Sequence, residues 1–82
     1  MPSVLPVLGN GIRGVAVNEQ KQLQQKFGQA YHVERRPGYG WYICEGSRTM
    51  YGFDTRKLLR AYIERAVARG VLYTPAARET YR

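Results

Sequence analysis

The sequence predicts an α+β fold, in which a three-stranded antiparallel sheet packs against a C-terminal helix and a short N-terminal helix precedes the sheet. Three observations predict it. Residues 30–53 contain three short runs rich in Tyr, Trp, Val and Ile, separated by turn residues. Residues 55–69 carry apolar side chains at helical spacing and are followed by Gly70. The length of 82 residues suits a single domain.

We expect this domain, residues 1–82, to consist of an irregular N-terminal arm at 1–17, an α-β-β-β-α core at 18–70 and a tail at 71–82. Pro6 and several glycines interrupt the apolar residues of the arm, which favours irregular structure. The turn signal Asn10-Gly11 leaves a short hairpin in the arm as the alternative.

The first helix is expected from Glu19 to Phe27. Asn18 suits its N-cap, and Gly28 suits the position directly after its end. Leu23 and Phe27 lie one turn apart and give the helix a single narrow apolar stripe. We therefore expect it to cover the core as a lid.

Three strands are expected at residues 30–36, 41–45 and 48–53. The sequence Pro-Gly-Tyr-Gly at 37–40 supplies the first turn, and Gly-Ser at 46–47 supplies the second. A two-residue Gly-Ser loop is typical of a type II′ hairpin, which places the residues on either side of it opposite each other.

The second turn thus pairs Glu45 with Arg48, whereas the register of the first hairpin stays open. One choice pairs Arg35 with Trp41, and a slip by one residue is the other. With the first choice, one face carries Tyr31, Val33, Trp41, Ile43 and Met50, and the other carries His32, Glu34, Arg36, Tyr42, Cys44, Thr49 and Tyr51.

The C-terminal helix is expected from Thr55 to Arg69, with Asp54 or Thr55 as its cap and Gly70 at its end. Its apolar side carries Leu58, Leu59, Tyr62, Ile63 and Ala66, and its polar side carries Lys57, Arg60 and Glu64. After it, Thr74-Pro75 is an N-cap followed by a first-turn proline, which predicts one more helical turn in an otherwise loose tail.

The composition is strongly basic and poor in catalytic side chains. Thirteen Lys and Arg residues against six Asp and Glu give a net charge of +7, which favours an acidic partner. One His, one Asp and one Cys supply little for acid–base or nucleophilic chemistry, so we expect no enzyme. The single Cys44 forms no internal disulfide and is typical of a cytoplasmic protein. No apolar run is long enough to span a membrane, so no membrane partner is expected.

Two patterns suggest a cofactor or metal site, and the rest of the sequence argues against both. Residues 9–14 match G-x-G-x-x-G, but nine glycines make a chance match easy, and antiparallel hairpins do not build a dinucleotide-binding sheet. Structural zinc takes four Cys or His ligands, and the chain offers only His32 and Cys44, so a site would need a second chain. We therefore expect no cofactor and no metal.

The strongest functional signal is a basic and aromatic stretch around the first hairpin. Arginine binds phosphate and stacks on bases, and Tyr and Trp offer stacking surfaces. The candidate nucleic-acid-binding residues are Arg35, Arg36, Tyr39, Trp41, Tyr42, Arg48, Arg56, Lys57 and Arg60. The sequence thus predicts a non-catalytic nucleic-acid-binding domain that prefers DNA. The alternative is a small protein-binding adaptor or inhibitor, encoded by a mobile element, that uses the same Arg and Tyr surface on an acidic partner.

A family resemblance rests on Gly40-Trp41 at the second strand, on Tyr51-Gly52-Phe53-Asp54-Thr55 leading into the helix, and on Ala61-Tyr62 within it. In these residues the chain resembles the DNA-binding domain of plant ethylene-response transcription factors, and its arrangement is similar to the arm-binding domains of tyrosine integrases. The resemblance implies DNA recognition by the sheet through Arg35, Arg36, Trp41 and Arg48. The order helix, three strands, helix is also similar to that of double-stranded-RNA-binding domains.

Overall fold

The computed structural model describes residues 16–81. Its elements are α1 (Val17–Phe27), β1 (Tyr31–Arg36), β2 (Gly40–Glu45), β3 (Arg48–Phe53), α2 (Arg56–Arg69) and α3 (Ala77–Thr80). The strands form one antiparallel sheet in the order β1-β2-β3, and α2 packs on this sheet, as predicted. The glycine pattern at 9–14 and the alternative hairpin at Asn10-Gly11 lie outside the described residues.

Helix α1 starts earlier than predicted and contributes to the core. Ala16 occupies the N-cap position and Asn18 lies inside the helix, so the predicted cap was wrong. Gly28 follows the helix as predicted, and its N–H donates to the carbonyl oxygen of Gln24. Leu23 is completely buried. Because that side chain is enclosed by the core, α1 is more than a lid.

Helix α1 also covers the outer edge of the sheet. The side-chain oxygen of Gln20 accepts a hydrogen bond from the Val33 N–H at 2.9 Å. The side-chain amide of Gln24 donates to the carbonyl oxygen of Tyr31, also at 2.9 Å. The two glutamines thus bind backbone groups of β1, an edge strand, that would otherwise be free to pair with a further strand.

The strand register confirms one of the two choices left open by the sequence. Arg35 pairs with Trp41, and Glu45 pairs with Arg48. Between these pairs lies an irregularity that the sequence did not reveal: Cys44 pairs with Thr49, whereas Ile43 pairs with Tyr51. Met50 is therefore the extra residue of a β-bulge.

The bulge corrects the predicted faces of β3. Since the extra residue shifts the alternation by one, Tyr51 shares the face of Ile43 and not that of Cys44. Its ring lies 5.9 Å from that of Tyr62 on α2. Tyr51 thus packs toward the helices, where the sequence had placed it on the opposite face.

The core lies between the sheet and the two longer helices. Helix α2 is held at its start by Thr55, whose Oγ1 accepts from the Leu58 N–H at 3.2 Å, and at its end by Gly70 in the left-handed conformation. The predicted apolar side of α2 faces the sheet. The buried apolar residues of this core are Ala16, Leu23, Val33, Ile43, Phe53, Leu59, Tyr62, Ile63 and Ala66. Cys44 is also buried, but on the opposite face of the sheet.

The tail packs against this core. The Tyr62 hydroxyl donates to the carbonyl oxygen of Tyr73, and the two rings lie 4.8 Å apart. The Asp54 N–H donates to the Thr80 carbonyl oxygen at 2.8 Å. The predicted extra turn is present as α3, but it begins after Ala76, so Thr74 is not its cap.

Candidate functional site

The first hairpin ends in a tight turn that exposes a tyrosine. The Tyr39 N–H donates to the Arg36 carbonyl oxygen at 2.9 Å, and Gly38 has a φ of +85°. Proline followed by a glycine with positive φ gives a type II turn. Tyr39, which follows this pair, is 76% exposed, so its ring is free to contact a partner.

Gly40 is required where the turn meets the sheet. Its φ is +127°, and a Cβ atom at this position would overlap the carbonyl oxygen of Phe53. Glycine therefore lets β2 approach the end of β3 and the residues that lead into α2. The result is an open groove beside the turn, to which Asp54 and Thr55 contribute.

Two arginines stack on aromatic rings next to this turn, one on each face of the sheet. The Arg35 guanidinium lies 5.7 Å from the centre of the Trp41 ring, on the helix side. The Arg36 guanidinium lies 4.3 Å from the centre of the Tyr42 ring, on the opposite side. Cation–π stacking restrains both arginines. We call residues 35–42, with these two stacks and Tyr39, the hairpin tip.

Arg48 does not belong to the hairpin tip, although the sequence analysis listed it with these residues as a candidate contact. Successive turns of an antiparallel meander lie at opposite ends of the sheet. The six residues of β2 separate the two turns, a distance of about 17 Å at ~3.4 Å per residue. At its own end, Arg48 lies 3.8 Å from the carboxylate of Glu45.

Arg56 and Arg60, two other predicted contact residues, bind a buried carboxylate within the domain. Glu19 is only 3% exposed. Its two oxygens accept from the Arg56 guanidinium at 3.1 and 3.2 Å, and Arg60 Nε donates to one of them at 3.0 Å. Burial raises the pKa of Glu19, but the hydrogen bonds from Arg56 and Arg60 outweigh it, so the pKa is lowered overall. Lys57, beside them, is exposed in the first turn of α2.

A second polar cluster lies on the open face of the sheet, the face turned away from the helices. Glu34 is its centre: one oxygen lies 2.9 Å from His32 Nε2 and the other 3.0 Å from the Arg36 guanidinium. Hydrogen bonds from His32 and Arg36 lower the pKa of Glu34. Arg36 also donates to Thr49 Oγ1 at 2.7 Å.

Cys44 completes this cluster. It is 2% exposed and pairs with His32 across the strands. Burial, followed by the nearby Glu34 charge, raises the pKa of its thiol. One ligand atom from each of His32, Glu34 and Cys44 lies within 4.8 Å of the others. The sequence analysis counted only His32 and Cys44 as ligands and did not include Glu34, although its position two residues after His32 predicts the same strand face.

The structure thus divides the nine predicted contact residues into separate groups. The hairpin tip contains Arg35, Arg36, Tyr39, Trp41 and Tyr42. Arg48 lies at the other end of the sheet, Arg56 and Arg60 bind Glu19, and Lys57 is exposed in the first turn of α2.

Comparison with known proteins identified no relative: no protein-family model, curated protein or solved structure matches the chain. Within residues 16–81, no helix has the length and apolar character needed to cross a membrane.

Proposed function

We propose that this protein is a non-catalytic nucleic-acid-binding domain, with DNA preferred over RNA, and that its contact surface is the hairpin tip. The observation that carries the proposal is the arrangement of an exposed Tyr39 next to two arginines held on aromatic rings. This arrangement combines the stacking surface of Tyr39 with the Arg35 guanidinium, a cation that can pair with phosphate.

The chemistry of the hairpin tip fits a nucleic-acid backbone and its bases. The Arg35 guanidinium, stacked on Trp41, presents its N–H edge to phosphate oxygens, whereas Arg36 already donates to Glu34 and Thr49. The exposed Tyr39 ring can stack on an unpaired base, which is tolerant of sequence. The net charge of +7 attracts a polyanion from a distance and makes its binding sensitive to salt.

The remaining candidate residues receive different roles in this proposal. Lys57 is exposed at the start of α2 and lines a second groove with Thr55, where it adds a positive charge near the groove beside the hairpin tip. Arg48, Arg56 and Arg60 are paired with Glu45 and Glu19 within the domain. They therefore contribute to the long-range attraction of a polyanion and not to direct contacts. A cytoplasmic location suits the proposal, because the Cys44 thiol stays reduced there.

The rival function is binding of an acidic protein surface by an adaptor or inhibitor module. One observation favours it: Trp41 is partly buried beside Arg35 at the edge of the groove, and Trp and Arg are frequent binding hot spots. Both functions use the same residues, so they can be distinguished only by which ligand binds, a nucleic acid or an acidic protein.

The test is fluorescence anisotropy with labelled random-sequence single-stranded DNA, duplex DNA and RNA, comparing Tyr39→Ala with wild type. Tyr81→Ala is the matched control, because Tyr81 is also exposed (55%) but lies in the tail. Tyr39→Ala should weaken single-strand binding by about 1–3 kcal/mol, and Tyr81→Ala should leave it unchanged. Equal affinities of the two variants, or no saturable binding by the wild type, would overturn the proposal and favour the protein partner.

A further inference from the structure

We propose that His32, Glu34 and Cys44 form a zinc-binding site on the open face of the sheet. His32 and Glu34 alternate with Val33 on β1, so their side chains share a face, and Cys44 stands directly opposite His32 on β2. The strand pairing thus brings an imidazole nitrogen, a carboxylate oxygen and a sulfur within 4.8 Å of one another. The three ligands lie outside the proposed nucleic-acid contact surface, with which the site shares only the Arg36 side chain.

The donor set fits zinc better than the hard cations. Zinc accepts nitrogen, sulfur and carboxylate oxygen together, whereas magnesium and calcium require oxygen ligands. Three protein ligands with a water molecule in the fourth position is a common arrangement for zinc sites open to solvent. With bonds of about 2.0–2.3 Å, tetrahedral ligand atoms lie about 3.5 Å apart, so side-chain movements of about 1 Å would close the present arrangement around an ion.

The site is open to solvent, and the pairing of β1 with β2 fixes the backbones of His32 and Cys44 opposite each other. The side chains of His32 and Glu34 are 31% and 44% exposed, which opens the cluster to solvent. Cys44 is buried within the sheet and fixed by its pairing with His32 and Thr49. Binding of zinc replaces the thiol proton of Cys44, which leaves to solvent, and involves no change in oxidation state.

In this structure the positive charge beside Glu34 and Cys44 is the guanidinium of Arg36, in the place that a zinc ion would take. Its guanidinium lies 3.0 Å from Glu34 Oε1 and 3.9 Å from the sulfur of Cys44. A divalent ion bound by the same two side chains must displace this guanidinium, which can turn on its flexible side chain toward solvent. Zinc and Arg36 therefore compete, and this competition distinguishes the proposed site from nonspecific binding of metal to an exposed histidine.

The experiment is calorimetric titration of the full chain with Zn²⁺, together with titration by Co²⁺ followed by the thiolate-to-cobalt absorption band. The wild type should bind one ion per chain and show the band. Cys44→Ser should lose the band. His32→Ala and Glu34→Gln should each weaken binding by more than the roughly 10–100-fold that loss of an outer-shell partner costs. Glu64→Gln, which removes an exposed acid from α2, is the matched control and should leave binding unchanged.

Arg36→Met supplies the decisive comparison. It removes the competing cation and should tighten zinc binding, while the circular dichroism spectrum verifies that the fold is retained. The proposal is overturned if the wild type shows no saturable binding, if Cys44→Ser retains the cobalt band, or if Arg36→Met leaves the zinc affinity unchanged or weaker. One ion per two chains would likewise contradict a site formed by one chain.

Discussion

Glu19 is the residue whose role depends most on the completed fold. Its buried carboxylate meets Arg56 and Arg60, which lie 37 and 41 positions later in the sequence. Glu19→Gln keeps the size of the side chain but removes the charge that both guanidinium groups contact. Hydrogen bonds to charged groups contribute about 1.5–3 kcal/mol. Since both arginines can turn to solvent, we expect a loss of that size in the free energy of unfolding, measured by urea denaturation at pH 7.

The stabilisation provided by Glu19 should also depend on pH. The folded protein holds the pKa of Glu19 below its ordinary value, so its stabilisation is complete above about pH 5 and is lost as the pH falls through the folded-state pKa. The difference in unfolding free energy between wild type and Glu19→Gln should therefore shrink between pH 7 and pH 3. Glu64→Gln, on the exposed side of α2, should differ little from wild type at either pH. A difference that stays constant would show that the charge of Glu19 is not the stabilising feature.

At the scale of the elements, the contact between α2 and the sheet should supply much of the stability. Ile63 is completely buried, whereas its neighbour Glu64 is exposed on the same helix. Ile63→Ala should lower the free energy of unfolding by about 2–5 kcal/mol, because it removes buried methylene and methyl groups and leaves a cavity. Glu64→Ala, measured by the same urea melts, should change it by less than ~0.5 kcal/mol. A loss for Ile63→Ala as small as for Glu64→Ala would mean that this side of α2 is not the core.

Two glycines of the hairpin tip, Gly38 and Gly40, allow a second comparison of matched substitutions. Gly38 and Gly40 both have positive φ, but only at Gly40 would a Cβ atom meet backbone, the Phe53 carbonyl. Gly38→Ala should cost about 1–2 kcal/mol for the left-handed conformation alone. Gly40→Ala should cost clearly more, because β2 must also move away from β3. Thermal and urea denaturation of both variants would measure this order, and equal losses would contradict the close approach at Gly40.

The elements show why some features were predictable from the sequence. Thr55 and Gly70 mark the ends of α2 by local conformational preference, and the Gly-Ser turn sets the register of Glu45 with Arg48 by its length. The bulge at Met50 has no comparable local signal in the sequence, and it brings Tyr51 to the ring of Tyr62. Tyr51 was therefore assigned to the wrong face, although its strand was predicted.

The candidate site was predictable only in part for the same reason. The neighbours Arg35, Arg36, Tyr39, Trp41 and Tyr42 stay together, because one turn joins them. Distances beyond one hairpin were not available from the sequence: Arg48 lies at the far end of the sheet, and Glu19 meets Arg56 and Arg60 only after the helices pack. The cluster of His32, Glu34 and Cys44 also depends on a register that the sequence left open.

For the whole molecule, the position of positive charge matters more than its sum. Among the described residues, five arginines lie within 4 Å of a carboxylate: Arg36, Arg48, Arg56, Arg60 and Arg65. Arg35 is exposed at the hairpin tip and stacks on Trp41. Arg78, in α3, is also exposed. These last two allow localised binding to be distinguished from general attraction, since each substitution to Ala removes one positive charge.

We expect duplex DNA binding to follow the salt dependence of a small number of phosphate contacts. Neutralising about five phosphates gives a slope near −4.5 in a plot of log affinity against log salt concentration. Arg35→Ala should weaken binding across all sequences and flatten this slope by roughly one unit, because one phosphate contact is lost. Arg78→Ala should change the slope much less if contacts are confined to the hairpin tip. The measurement is anisotropy with one duplex at several salt concentrations. Equal changes in slope for the two variants would show that +7 acts as a diffuse charge, and unchanged slopes in both would remove nucleic acid as the ligand of the hairpin tip.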